Sequence, residues 1–172
     1  LADHAEELGA YAGHIAVAGW SAGANVAAVA AQTARDHGAP LVCGQLLLTP
    51  VTDCETTGSY RENGEGYLLT AALMEWFWNH YCDPADRTNP KASPLRGNLA
   101  GLPRTMVVTC EFDPLRDEGN AYAAALAAAG VEVQHVQARG HIHTSLTMVD
   151  VILSGASYRE QMGTALHRLA RR

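Results

Sequence analysis

The 172-residue sequence predicts an α/β fold in which a mostly parallel sheet carries helices on both faces. Three observations carry this expectation. Apolar runs of strand length alternate with longer segments of helical spacing, the pattern of strands joined by helical crossovers. The composition, 48% hydrophobic and 17% charged, suits one globular domain with a real core and not a disordered chain. Residues 1–172 contain no internal repeat, low-complexity tract or linker, so they read as a single domain.

The elements follow in order. Residues 3–11 read as a short helix ending near Gly13, and residues 14–18 as a strand. Residues 22–37 are Ala-rich with helical spacing and are closed by Gly38 and Pro40, both good stop signals. Residues 41–49 form a second buried strand that stops at Pro50, and the Thr-, Gly-, Asp- and Asn-rich residues 51–66 read as loop. Thr70 is placed to cap a helix over residues 71–81, whose run Met74-Glu75-Trp76-Phe77-Trp78 is aromatic on more than one side. That pattern fits burial between two layers or an apolar helix over a pocket. A proline-rich connection fills residues 83–103. Residues 105–110 form a third strand, 117–129 a helix ended by Gly130, and 131–136 a fourth strand. The polar stretch from Arg139 to Thr144 reads as loop, with helices over 145–153 and 156–170 around Gly155.

Composition excludes several functions. A net charge of -6 argues against a nucleic-acid partner, which needs clustered Lys and Arg. Arg168, Arg171 and Arg172 read as a solvated helix end. No apolar run is long enough to span a bilayer, and the start at Leu1 shows no signal-peptide pattern. Cys43, Cys54, Cys82 and Cys110 form no C-x-x-C pair. They are expected to be free thiols in a reducing compartment, the cytoplasm.

The strongest chemical signal is Gly19-Trp20-Ser21-Ala22-Gly23, a G-x-S-x-G between an expected strand and an expected helix. In that context the serine sits on a sharp turn. Gly19 and Gly23 let strand and helix approach, and the helix N-terminus points at developing negative charge. The Ala22 N–H is then one oxyanion donor. A serine hydroxyl needs a base, itself oriented by an acid, and here the expected chain order is Ser, acid, His. Asp113 follows the third strand at the sheet edge where ligands bind, though it also suits a plain helix N-cap. His141 and His143 both lie past the fourth strand, and an H-x-H pair also admits a metal reading, with no further ligand set apparent.

Several segments resemble the hormone-sensitive-lipase-like esterases of the α/β-hydrolase fold. Gly19 to Asn25 resembles their G-D-S-A-G-G-N elbow, and Thr49-Pro50-Val51-Thr52-Asp53 and Ala92-Ser93-Pro94-Leu95 match later segments. Asp113 to Gly119 is similar to D-P-L-R-D-E-G, and Gly140-His141-Ile142-His143 to G-M-x-H. The resemblance implies the triad Ser21, Asp113 and His143, with His143 rather than His141 as base. It implies hydrolysis of short-chain carboxylic esters without metal or organic cofactor. Residues 53–83 would be part of a helical lid, with Trp20, Trp76 and Trp78 about the substrate pocket. The chain departs from the family at Trp20, at Ala24 and at Thr144-Ser145, where Gly-Phe is common. The family's upstream H-G-G-G oxyanion segment does not occur in residues 1–172. The expectation is therefore a partial α/β-hydrolase fold, the N-terminally incomplete C-terminal portion of a longer enzyme. Alone it would be poorly active and self-associate through an open sheet edge. The same triad also serves an acyltransferase or amidase, and the scaffold also serves non-catalytic ligand-binding proteins.

Overall fold

Four strands pair side by side in chain order in the computed structural model, which describes residues 4–9, 11, 15–38 and 42–169. The expected features at Gly13, His14, Pro40, Leu41, residue 170, Arg171 and Arg172 lie outside the described residues. The strands are β1 (Ile15–Trp20), β2 (Val42–Leu48), β3 (Arg104–Phe112) and β4 (Val133–Ile142). All three pairings are parallel, with Gly19 opposite Leu47, Leu47 opposite Val107, and Val107 opposite His135. Each connection must therefore cross over the sheet. The crossovers carry α1 (Ala22–Asp36), then α2 (Gly58–Asn63) and α3 (Ala71–Tyr81), then α4 (Arg116–Ala128); α5 (Gly155–Leu169) follows β4.

Successive strand residues face opposite sides of a sheet, and this period of two divides the core. Leu47 and Val107 face α1 and α4, where they pack with Ala24, Ala28, Tyr122 and Leu126. Their neighbours Leu48, Met106, Val108 and Cys110 face α5, packing with Ala165 and Leu169. A third cluster sits beyond the strand ends and joins Val51, Tyr60, Leu69, Met74, Trp78, Ala92 and Leu115. It seats the 51–92 segment on the edge of the sheet where β1 delivers Ser21. The helix over 71–81 forms as expected, with Leu73 N–H donating to Thr70 Oγ1 (3.1 Å) at its cap.

Four expectations are corrected. Residue 4 is 3₁₀-helical and residues 5–9 form turns, closed by bonds such as Gly9 N–H to Glu6 O, and the helix does not run through residue 11. Within the expected 51–66 loop, Gly58–Asn63 is helical. Six residues are too few for a periodic signal, and tertiary anchors hold them. Ser59 N–H donates to Asp117 Oδ2 (2.7 Å), the Ser59 hydroxyl donates to Pro114 O (2.6 Å), and Tyr60 is buried. Strand β4 runs on to Ile142 and takes in Arg139 to His141, which polarity marked as loop. Its register shifts between Ala138 and Ile142, where Gly140 has a φ of 75° and its N–H donates to Glu111 Oε2 (2.7 Å). The expected helix over 145–153 is one 3₁₀ turn, Ser145–Thr147, followed by turns. All four cysteines are free thiols. Among the described residues, no helix is long and apolar enough to cross a membrane.

Candidate active site

β1 ends at Trp20 and α1 begins at Ala22, so the whole reversal of direction falls on Ser21. Its φ of 56° and ψ of -121° are strained for a residue with a side chain. Ser21 N–H donates to Leu48 O (2.9 Å), and Ser21 O accepts from Ala24 N–H (3.0 Å), so strand and helix both hold the turn. A Cβ on Gly19 would overlap the Gly23 carbonyl and lie 2.5 Å from Ala24 N, which is why glycine is needed there. Gly23 differs from expectation: a Cβ there would meet nothing within 4 Å. Its backbone, not its missing side chain, fills the crossing.

Three side chains from three strand ends meet at this turn. The Ser21 hydroxyl donates to His143 Nε2 (2.9 Å), and His143 Nδ1–H donates to Asp113 Oδ2 (2.8 Å). Asp113 and His143 are 1% and 5% exposed, so water competes little for these bonds. Asp113 does not cap α4, whose N-cap position is Leu115. Its second oxygen accepts from Leu115 N–H (2.9 Å), which leaves Oδ2 aimed at the imidazole. His141 is directed elsewhere, with Nδ1 at 2.8 Å from Ser145 Oγ, so the H-x-H rings do not share a ligand. Among the described residues, no group of three or more His, Cys, Asp or Glu is placed to hold a metal. Ala22 occupies the first position of α1, where a backbone N–H has no carbonyl partner within the helix.

Beside the Ser21–His143–Asp113 hydrogen-bond series lies an apolar cavity of about 360 Å³. Ser21, Ala22, Asn25 and Val26 of the elbow line one side, Val51 the back, and Met74, Phe77, Trp78, His80 and Tyr81 of α3 the other. Of the three tryptophans expected here, Trp78 lines the cavity. Trp76 does not: it is 54% exposed, its ring tilted against that of His80 with centroids 4.1 Å apart. Trp20 does not line it either; its ring lies 5.9 Å from that of His143. Met74, Phe77, Trp78 and Tyr81 follow the i, i+3, i+4, i+7 spacing of one helix face, a signal that would have selected them over Trp76.

Two further residues were not singled out from sequence. Asn25 is buried, donates to Val51 O (3.0 Å) and Ala92 O (2.8 Å), and accepts from the Tyr81 hydroxyl (3.2 Å). It thereby ties α1 to α3 across the cavity. Glu118 is fully buried and accepts from Thr52 N–H (2.7 Å), Asp53 N–H (3.4 Å) and the Tyr60 hydroxyl (3.3 Å). Burial pushes its pKa up to about 8 against the opposing pull of those bonds. Asn25 ends the elbow motif and Glu118 lies in the acid motif, so the local signal existed while their partners did not show in it.

Residues 1–147 match the family model described as the alpha/beta hydrolase fold. The chain is 45% identical over 143 residues to the carboxylic ester hydrolase LipN of Mycobacterium tuberculosis, covering 76% of this chain and 37% of LipN. It is 40% identical over 159 residues to the ethyl acetate hydrolase of Pseudomonas putida, covering 88% of this chain and 49% of that protein. The solved esterase rPPE, crystallised as a mutant complexed with (S)-Ac-CPA, superposes with a TM-score of 0.95 at 42% identity, covering 99% of this chain and 56% of that one. The chain thus spans about half the length of the relatives it matches. With the parallel sheet, the strained serine turn and these relatives together, the chain belongs to the α/β-hydrolase fold family, in its hormone-sensitive-lipase-like group.

Proposed function

We propose that the protein is a serine carboxylesterase that hydrolyses short-chain carboxylic esters through an acyl-enzyme intermediate. The observation that carries this reading is the hydrogen-bonded series Ser21–His143–Asp113, with links of 2.9 and 2.8 Å, at the head of α1. Ser21 Oγ attacks the ester carbonyl carbon while its proton passes to His143 Nε2. Asp113 keeps the other imidazole proton on Nδ1 and stabilises the imidazolium. The carbonyl oxygen takes up negative charge beside the Ala22 N–H and the α1 N-terminus, which favour it over the neutral ground state. Collapse expels the alcohol, which takes the proton from Nε2. Water then adds to the acyl carbon and gives a proton to His143, and release of the acid returns that proton to Ser21.

Residues 53–83 serve as a cap within a single catalytic domain, and the apolar cavity under α3 receives a small acyl or alcohol group. The names of the relatives support the ester class, and one names ethyl acetate itself. No cofactor is required by these steps. The partner is a small ester molecule, and four free thiols support a cytoplasmic location.

The test is Ser21→Ala in the intact protein, assayed by steady-state hydrolysis of a short p-nitrophenyl ester beside a thermal melt. Loss of a triad member costs roughly four to six powers of ten in rate. Retention of even about a tenth of the activity would overturn the assignment.

A further inference from the structure

Asp113 orients the His143 ring, but the backbone beneath that ring is only a short segment between a bulged strand end and one 3₁₀ turn. Two side chains outside the triad close this segment. Ser145 Oγ lies 3.0 Å from Ile142 N, 2.9 Å from Ile142 O and 2.8 Å from His141 Nδ1. A hydroxyl has one proton and two lone pairs. The proton goes to Ile142 O, which only accepts. One lone pair takes the Ile142 N–H, and the other takes a proton that must sit on His141 Nδ1. The hydroxyl is then saturated, and His141 Nε2 is left as a bare lone pair, buried and without a partner. The His141 ring is 2% exposed and meets Tyr158 of α5 edge to face at 5.2 Å. The Tyr158 hydroxyl in turn accepts from Arg139 N–H (3.2 Å). Burial lowers the His141 pKa, so this imidazole stays neutral while its neighbour two residues on gains and loses a proton.

We propose that His141 and Ser145 are positioning residues for His143: together they form a hydrogen-bond clamp that fixes residues 142–145 and so holds Nε2 against Ser21 Oγ. The clamp's effect on rate rests on the esterase reading above, whereas its effect on the His143–Asp113 bond does not.

The test uses four single variants and one double variant of the intact protein. Asn carries an N–H donor three bonds from Cα, where His has Nδ1, whereas the Gln donor lies one bond further out. His141→Leu and Ser145→Ala should lower kcat by about ten- to a hundredfold with KM within about twofold, because misplacing a reacting group costs turnover more than binding. His141→Asn should restore kcat to within about threefold of the parent, and His141→Gln should not. The double change His141→Leu with Ser145→Ala should lose little more than the worse single change, as partners in one bond do. Low-field proton NMR supplies a readout without substrate. The signal of a His143 Nδ1–H held by Asp113 should broaden or vanish in His141→Leu and Ser145→Ala and persist in His141→Asn. Parent-like kcat and an intact signal in Ser145→Ala would overturn the proposal, as would an Asn variant no better than Leu. If instead Ser21→Ala remains active while the NMR pattern holds, the esterase reading fails and the clamp stands.

Discussion

Gly19→Ala tests the elbow most sharply, because the structure sets the size of the insult. The added Cβ would overlap the carbonyl of Gly23 and stand 2.5 Å from Ala24 N, where ordinary contact begins at 3.4 Å. Those atoms are backbone at the start of α1, so no side chain can swing away. The helix must retreat from β1 by about 1 Å, and overpacking of this kind costs about 1–3 kcal/mol. Ser21 is shared by both elements, and its hydroxyl is only 2.9 Å from His143 Nε2. A retreat of about 1 Å breaks that bond, and misplacement on this scale costs about a hundredfold in rate. Urea unfolding together with steady-state ester hydrolysis measures both effects on one preparation. Gly23→Ala is the control, since its Cβ enters open space. It should leave kcat within about threefold and stability within about 1 kcal/mol. A Gly19→Ala protein with parent-like kcat would refute the argument that close backbone crossing places the nucleophile.

Further outcomes follow from the same geometry. Asp113→Asn should cost about four powers of ten in kcat by favouring the wrong imidazole tautomer, whereas a mere helix cap would lose little. Ser21→Gly should be more stable to urea than Ser21→Ala by about 1 kcal/mol or more, since only glycine adopts a φ of 56° with a ψ of -121° without strain; equal midpoints would mean the turn stores none. Glu118 holds its proton to about pH 8 when folded, while an unfolded glutamate releases it near the ordinary value of 4.5. Between those values the unfolded chain binds fewer protons, so stability should fall as pH rises, by up to about 1.4 kcal/mol per unit. Chemical denaturation from about pH 5 to about pH 8 should show that slope in the parent and a flatter one in Glu118→Gln; identical slopes would place the titration elsewhere.

Much of this protein is legible in its sequence because the signals are local. A strand buried on both faces is mostly apolar, so β2 and β3 show as apolar runs interrupted by a few polar residues such as Gln45, Thr105 and Thr109. An amphipathic crossover must repeat every 3.6 residues, so α1, α3 and α4 show with ends within two residues of those observed. The elbow is local too, since one turn between strand and helix dictates small neighbours around Ser21. Order along the chain and resemblance to a family select Asp113 and His143 as the candidate acid and base.

Tertiary structure decided what depends on distant partners. The α2 helix exists because Ser59 and Tyr60 reach residues of the acid loop and α4, and no six-residue pattern announces such anchors. Strand β4 extends through polar residues because Glu111, from the neighbouring strand, satisfies the Gly140 N–H at its bulge. The face of α3 that meets the cavity was set by docking on Val51 and α1. That docking turned Met74, Phe77 and Trp78 toward the cavity and left Trp76 off it. His141 and His143 are two residues apart and chemically identical, so their chemistry alone does not rank them, and only the resemblance of Gly140 to His143 to a family motif favours His143. Asp113, 30 residues from His143, and Ser21, 122 residues from it, meet one ring, and Ser145 meets the other. Hydrogen bonds act over about 3 Å, and only the folded sheet brings its strand ends within that range.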